Sequence, residues 1–335
     1  MVNFGIVGFG LHAVKRLMPG FARAKNCRVT ALSRRDAQKA DASAKQFAIP
    51  QAFTSVEELC QSREVDAVFV TSPNSLHHRD VLMAIRCGKS VLCEKPLAMN
   101  AGEALEMVEA ANKAKVLLGV AQVFRFCKSV NRIRELISEV GQPQLARCDF
   151  SFFAPPDHAR TWLNDRTVAG GGPVADVGVH CIDTLRYVLQ DEVIRVNAMG
   201  SKDDRSGDVE SSAILTLEFS RGTLATVAVS FRAEYHTTVE VRGHNGALVC
   251  DKGLTVDRPV RVQLWRDNKI VQDEQMSNEL AYAYQVDEFA AAVEGKAKFR
   301  AAGFAGWQNQ LILDAAYRSI ESGQAVDVPQ VASPE

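Results

Sequence analysis

Short apolar runs alternate with longer segments of helical period from residue 2 to about residue 122. Val2–Val7 reads as a strand and Leu11–Ala24 as a helix. Cys27–Leu32 is a second strand, followed by a helix from about Asp36 to Phe47. Ala67–Val70 and Ser90–Leu92 are short β-rich runs with helical segments beside them, and Val116–Val120 closes the series. Strands that alternate with helices predict a parallel sheet covered on both faces.

Beyond Phe124 the pattern changes. Leu145–Phe153 reads as a strand, Ala154–Gly172 as an irregular stretch containing Pro and charge, and Pro173–Leu189 as a helix. Four runs with period-two alternation follow: Ser211–Phe219, Gly222–Phe231, Thr237–Gly243 and Ala247–Cys250. Ser220-Arg221-Gly222 and His244-Asn245-Gly246 separate them as hairpin turns do. Consecutive strands with tight turns predict a mainly antiparallel sheet. Two helices, about Asn278–Glu294 and Gly303–Ser322, end the chain. The expectation is α/β architecture in two parts: residues 1–122 with a doubly wound parallel sheet, and residues 123–335 as an α+β domain.

A length of 335 residues suits two domains. Net charge is −1 and the basic residues are scattered, so nothing favours nucleic acid as a partner. No charged-then-apolar leader precedes Val2, and no run approaches the ~20 apolar residues that span a bilayer. The eight cysteines show no C-x-x-C spacing, and most lie in apolar stretches, where a thiol behaves as a small hydrophobe. The expectation is a cytoplasmic protein with neither disulfides nor metal, and no membrane association.

Candidate chemistry begins at Gly8-Phe9-Gly10-Leu11-His12-Ala13, which fits G-x-G-x-x-A between a strand and a helix. Gly8 permits the tight turn, Gly10 lets backbone approach a pyrophosphate, and Ala13 lets the helix lie close to the strand. The phosphates would meet free N–H groups at the helix start. The second strand ends in Ser33-Arg34-Arg35, where dinucleotide sites for NAD(H) usually place an acid on the ribose hydroxyls. A hydroxyl and two guanidiniums suit a 2′-phosphate instead, so NADP(H) is favoured over NAD(H). Solvated surface arginines, with Asp36 on the ribose, are the alternative.

Thr71-Ser72-Pro73-Asn74, with His77 behind it, follows a strand end that faces the ligand crevice in such sheets. Ser72 or Asn74 also suits a helix N-cap. Glu94-Lys95-Pro96 follows the next strand, either as charged groups at the same crevice or as a surface ion pair. Beside a nicotinamide cation and partly desolvated, the lysine would have its pKa pushed down. Asp176, His180 and Asp183 stand at i, i+4 and i+7 of the predicted helix and so share a face, where the carboxylate can orient the imidazole. A satisfied core histidine is the plainer reading.

Together these segments resemble the Gfo/Idh/MocA family of oxidoreductases (glucose–fructose oxidoreductase, inositol dehydrogenase and relatives). The resemblance spans nearly the whole chain, from the glycine turn through Glu94-Lys95-Pro96 and Asp176-x-x-x-His180 to Asp314-Ala315-Ala316-Tyr317-Arg318-Ser319. It implies a Rossmann domain, an open-faced second sheet, assembly as a homodimer or homotetramer, and Lys95, Asp176 and His180 at the catalytic positions. It also implies hydride transfer between nicotinamide and a sugar-, polyol- or related small molecule. His180 would exchange the hydroxyl proton while Lys95 polarises the oxygen, with these two roles interchangeable. Arg125, Trp162 and Asp183 are candidates for the substrate wall. A dihydrodiol or anhydro-sugar reductase, suggested by Phe152, Phe153 and Trp162, and a non-catalytic NADP-binding regulator are the alternatives.

Overall fold

The computed structural model describes residues 1–155 and 160–332, so part of the stretch Ala154–Gly172 lies outside the described residues. The chain forms two compact units: Met1–Val123 with Leu280–Gln310, and Phe124–Glu279 with Leu311–Ala332.

The first unit holds a parallel sheet of β1 (Val2–Val7), β2 (Cys27–Ser33), β3 (Gln51–Phe53), β4 (Ala67–Val70), β5 (Ser90–Cys93) and β6 (Leu118–Val120). Its order, β3-β2-β1-β4-β5-β6, reverses between β1 and β4, the place where open α/β sheets offer a ligand crevice. β4 is wholly buried and β1 and β5 nearly so, which is why they read as continuous apolar runs. Gln51–Phe53 is too short to show a period and gave no strand signal. The predicted helix from Leu11 widens into a π-helical segment at Ala13–Leu17 before the turn Met18–Phe21. Pro19 lies in that turn, has no N–H to donate and crowds the preceding turn, so regular α-helix cannot run through it unaltered.

Residues 280–310 return to this first unit, which a single boundary at 122/123 does not contain. The helix Ala281–Val293 brings Phe289 to 5.9 Å from Phe4 and 5.1 Å from Phe299, ring centre to ring centre. Gly119 on β6 lies so close that a Cβ there would stand 2.6 Å from Phe299. Asp287 of the same helix accepts from the backbone N–H groups of Lys25 and Asn26, fastening the entry to β2. Beside it, burial and the Asp287 charge push the Cys27 thiol up to about 12, so it stays protonated and inert.

Among the described residues the second unit holds nine strands. They are β7 (Pro143–Ser151), β8 (Val193–Ser201), β9 (Ser212–Phe219), β10 (Leu224–Ser230), β11 (His236–Gly243), β12 (Gly246–Asp251), β13 (Pro259–Arg266), β14 (Lys269–Ser277) and β15 (Val326–Asp327). Their order is β14-β13-β12-β11-β7-β10-β9-β8-β15, antiparallel except where β7 meets β10. Both expected hairpins are present, β9–β10 and β11–β12. One face is apolar and packs on the helices Lys128–Glu135 and Val179–Leu189. The registers put Arg195, Glu218, Leu224, Leu145 and Arg242 in one row across the other face. Met199 and Ile214 form part of a parallel row on that same face, 78% and 59% exposed. Among the described residues no helix is long and apolar enough to cross a membrane.

Candidate active site

In the first unit the glycine turn presses against the loop after β4. Gly8 has φ +75°, and a Cβ on it would stand 2.7 Å from Ser72 backbone. A side chain here would meet backbone that cannot move aside. Gly10, by contrast, is open, with only the Gly8 carbonyl 3.5 Å from where its Cβ would be. The turn is therefore a shallow cradle of bare backbone, the shape a pyrophosphate needs at a helix start. Thr71 closes it from behind, its hydroxyl donating to the Val7 and Gly8 carbonyls at 2.9 and 3.0 Å. Phe9 is buried beneath the turn, its N–H donating to the Ser33 carbonyl at 3.1 Å, while Leu11 is exposed and Ala13 buried.

At the end of β2, Arg34 Nη1 donates to Ser43 Oγ at 2.8 Å, and Arg35 is exposed. Asp36 accepts from the Lys39 N–H as the N-cap of the helix Ala37–Phe47, and that bond lowers its pKa. The carboxylate considered for the ribose is thus a helix cap.

His12 and Glu94 join the glycine turn to the loop after β5, Nε2 and Oε1 standing 2.9 Å apart. Burial works against ionisation of Glu94, but His12 and then Lys95 outweigh it, and its pKa falls below the usual carboxylate value. Lys95, half-buried, donates its N–H to Glu94 Oε2 at 3.2 Å, so its position is tied to the cradle. Ser72 Oγ donates to Asp80 Oδ2 at 2.7 Å; neither it nor Asn74 caps a helix, since Pro73 stands at that position. His77 requires a correction. It is fully buried, with its two nitrogens 2.9 Å from the Pro96 and Ser72 carbonyls, and burial lowers its pKa. It ties the two loops together and is not presented to a cofactor.

In the second unit the predicted helix Pro173–Leu189 starts as a π-helical segment, Val174–Gly178, and becomes α-helical at Val179–Leu189. Wider turns of this kind change which residues share a face, and often mark functional positions. Asp176, His180 and Asp183 are all buried, but their neighbours differ. Asp176 lies 3.7 Å from the Arg160 guanidinium. His180 is wedged against Phe124, edge to face at 4.7 Å, with Phe150 stacked at 6.4 Å. Asp183 takes both arms of the Arg125 fork, at 2.8 and 2.7 Å. Burial would lower the Arg125 pKa, yet Asp183 raises it overall. Arg125 and Asp183 therefore form a buried internal brace, a role that the sequence reading of them as substrate-wall candidates did not include. Trp162 is half-buried in the short turn Thr161–Asn164.

Residues 2–122 match the family model for oxidoreductases with an NAD-binding Rossmann fold, and residues 130–249 match the GFO/IDH/MocA C-terminal domain. The chain belongs to the GFO/IDH/MocA oxidoreductase family. It is 32% identical to a 1,5-anhydro-D-fructose reductase of Ensifer adhaerens over 98% of this chain and 99% of that one. A D-xylose 1-dehydrogenase (NADP(+)) of Haloferax volcanii is also 32% identical, over 97% and 99% of the two chains. The crystal structure of a Caulobacter crescentus aldose-aldose oxidoreductase with glycerol superposes with a TM-score of 0.89 at 26% identity, covering 97% of this chain and 99% of that one. This member of the family is an NAD(P)-dependent dehydrogenase or reductase acting on CH–OH groups, and the relatives it resembles are named for sugars and an inositol.

Three parts of this oxidoreductase's site escaped the sequence reading. Phe124 and Phe150 flank His180 from distant positions, and nothing in their spacing announces it. The His12–Glu94 link joins two motifs that were read separately. Glu210, buried against the start of the Asp176–His180 helix, lies just ahead of a strand and reads as a loop charge. Among the described residues no group of three or more His, Cys, Asp and Glu is placed to hold a metal ion.

The brace makes a stability prediction for the enzyme. Asp183→Asn strands a buried guanidinium and should cost roughly 3–5 kcal/mol in urea unfolding, with little change in KM. An unchanged unfolding midpoint with a raised KM would return Asp183 to the substrate wall.

Proposed function

We propose that this enzyme is NADP(H)-dependent and moves a hydride to or from a sugar- or polyol-like small molecule, with Lys95, His180 and Asp176 as its catalytic group. The observation that carries the reading is the His12–Glu94 bond, which fixes the Lys95 loop to the glycine cradle. Bound there, the nicotinamide dinucleotide supplies or takes up the hydride. Gly8–Ala13 receives its phosphates, and Thr71 keeps that turn closed from behind. Lys95 polarises the substrate oxygen. His180, its ring plane set by Phe124 and Phe150, exchanges the proton on that oxygen, and Asp176 orients the imidazole.

The reductase reading on a less polar anhydro-sugar is favoured by one relative, named a 1,5-anhydro-D-fructose reductase, and by Phe153, which is 55% exposed. NADPH oxidation with a panel of aldoses, inosones and anhydroketoses separates the substrate classes. On the best of these, Lys95→Met and His180→Ala should each lower kcat about 10²–10⁴-fold, while NADPH affinity stays within about threefold. The double variant should be little worse than the poorer single one, because groups acting as a unit are not additive. Turnover retained in both single variants would end this mechanism.

The NADP(H) preference rests on Arg34, aimed by Ser43, and on Asp36 being engaged as a helix cap. In fluorescence titration NADPH should bind at least about tenfold tighter than NADH, the scale of one charge-assisted contact. Arg34→Ala should remove most of that difference and leave NADH binding unchanged. A parent enzyme that prefers NADH would overturn the role given to Arg34.

The exposed sheet face supports a homo-oligomer. Leu145, Met199, Ile214 and Leu224 stand there beside Arg195, Arg242 and Glu218, a mixture of apolar groups and both charges that a second copy can complement. Sedimentation should find two or four chains of 36.6 kDa per particle, and Ile214→Glu should release monomers. A parent protein that sediments as a monomer would remove this assignment.

A further inference from the structure

The first N–H groups of a helix have no acceptor within the helix. At the start of the segment Val174–Gly178 they find one in a side chain from elsewhere in the second unit. Gly172 N–H donates to Glu210 Oε2 at 3.1 Å and Val174 N–H to Glu210 Oε1 at 2.9 Å. Pro173, between them, has no N–H to satisfy. Glu210 is 5% exposed. Its Oε1 also accepts from the Tyr317 hydroxyl at 3.1 Å, so the carboxylate is held from two sides.

Tyr317 belongs to the tail Asp314–Ser319, which the proposed chemistry leaves without a role. Arg166 stands over its ring at 5.4 Å and donates to Glu321, one turn further along the same helix, at 2.8 Å. The glycines before the helix are shaped to this anchor. A Cβ on Gly171 would stand 1.7 Å from the Tyr317 hydroxyl oxygen, and one on Gly172 would stand 2.1 Å from the Glu210 carbonyl oxygen. Asp176 N–H donates to the Gly172 carbonyl at 3.0 Å, so the anchored residue and Asp176 are directly bonded.

We infer that Glu210 and Tyr317 are positioning residues, which set the start of the helix that carries Asp176 and His180. The inference rests on the reading that those two act on the substrate. Glu210 touches no reacting atom. Its carboxylate fixes Gly172 and Val174, and through them the direction in which Asp176 and the turn bearing His180 are presented. A displacement of about 1 Å at a reacting group costs on the order of 10²-fold in rate, so this anchor acts on kcat.

The test uses the full-length enzyme, with NADPH and the best substrate of the panel. Glu210→Gln keeps the shape but turns one acceptor into a donor facing an N–H. It should lower kcat about 10- to 100-fold, change KM less, and leave NADPH affinity within about twofold. The limb of the kcat–pH profile that His180→Ala removes should also move, since the placement of Asp176 and of the turn bearing His180 has changed. Tyr317→Phe, the milder change, should lower kcat several-fold with the same limb moved in the same direction, and it decides the matter if Glu210→Gln does not fold. A kcat within about twofold of the parent in the folded variants would overturn the inference. So would a loss that only follows the fraction of folded enzyme, with the pH limb unmoved. If His180→Ala and Asp176→Asn also leave turnover intact, the catalytic assignment itself has failed; if they abolish turnover while the anchor variants do not alter it, the anchor alone has.

Discussion

At several glycines in this chain the backbone lies closer to its neighbours than one methyl group would permit, and three of them bear on the candidate site. Gly8 meets Ser72 backbone, Gly171 the Tyr317 hydroxyl and Gly172 the Glu210 carbonyl. None of these contacts is strong in itself. What they do is exclude every other residue, and so bring polar backbone to distances at which it can be used. At Gly8 the result is a tight turn of backbone pressed against the loop after β4. At Gly171 and Gly172 it is a helix start pressed onto a buried carboxylate, with N–H groups aimed at its oxygens. Every side chain given a chemical role is carried by, or tied to, a segment fixed in this way.

The buried charges follow a second rule, visible in how their pKa values move. Glu94 and Glu210 are both carboxylates taken out of water, and burial raises both. Glu94 ends below the usual value, because its partners are an imidazole and an ammonium group that carry or can carry full positive charge. Glu210 ends above it, because burial is opposed only by peptide N–H groups, its own among them, and a phenol. Dipoles satisfy the oxygens without cancelling the cost of desolvating the charge. The Glu94 contribution to stability is present above the ordinary carboxylate pKa and is lost as pH falls through the lower, folded value. Glu210, with a raised pKa, has the opposite sign: its opposition to folding sets in as pH rises above the ordinary carboxylate value, is complete above the raised folded value, and disappears in acid.

Much of this was legible in the chain, for identifiable reasons. The strands of the first sheet are buried on both faces and read as unbroken apolar runs; β9 to β12 are half-exposed and alternate. The glycine turn, the Glu-Lys-Pro loop and the Asp/His helix are local motifs, so spacing alone could find them. β14 carries no fully buried residue and its alternation is correspondingly faint, whereas β8 does alternate. The return of residues 280–310 to the first unit was invisible because it is decided by Phe289 and Phe299 filling space above Gly119. The π-helical segment was not legible for a related reason: periodicity assumes a regular helix, and the start of this one bonds to a side chain more than thirty residues away. The partner of Asp183 was likewise a matter of tertiary placement, and Arg125 claimed it.

Cofactor choice and proton chemistry have separate physical origins in this chain. At the end of β2 stand Ser33, Arg34 and Arg35. A carboxylate stands nearby in Asp36, but the first turn of the following helix needs an acceptor and the side chain supplies it. Arg34 is turned toward Ser43, whose hydroxyl in turn donates to the Lys39 carbonyl within that same helix. One helix start thus both occupies the acid and orients the base. Changing the charge at position 34 alters what the ribose end can attract without touching the glycine turn or the His12–Glu94 link. The ribose end and the His12–Glu94 link are thus built from separate residues of the first unit, so either can change without the other.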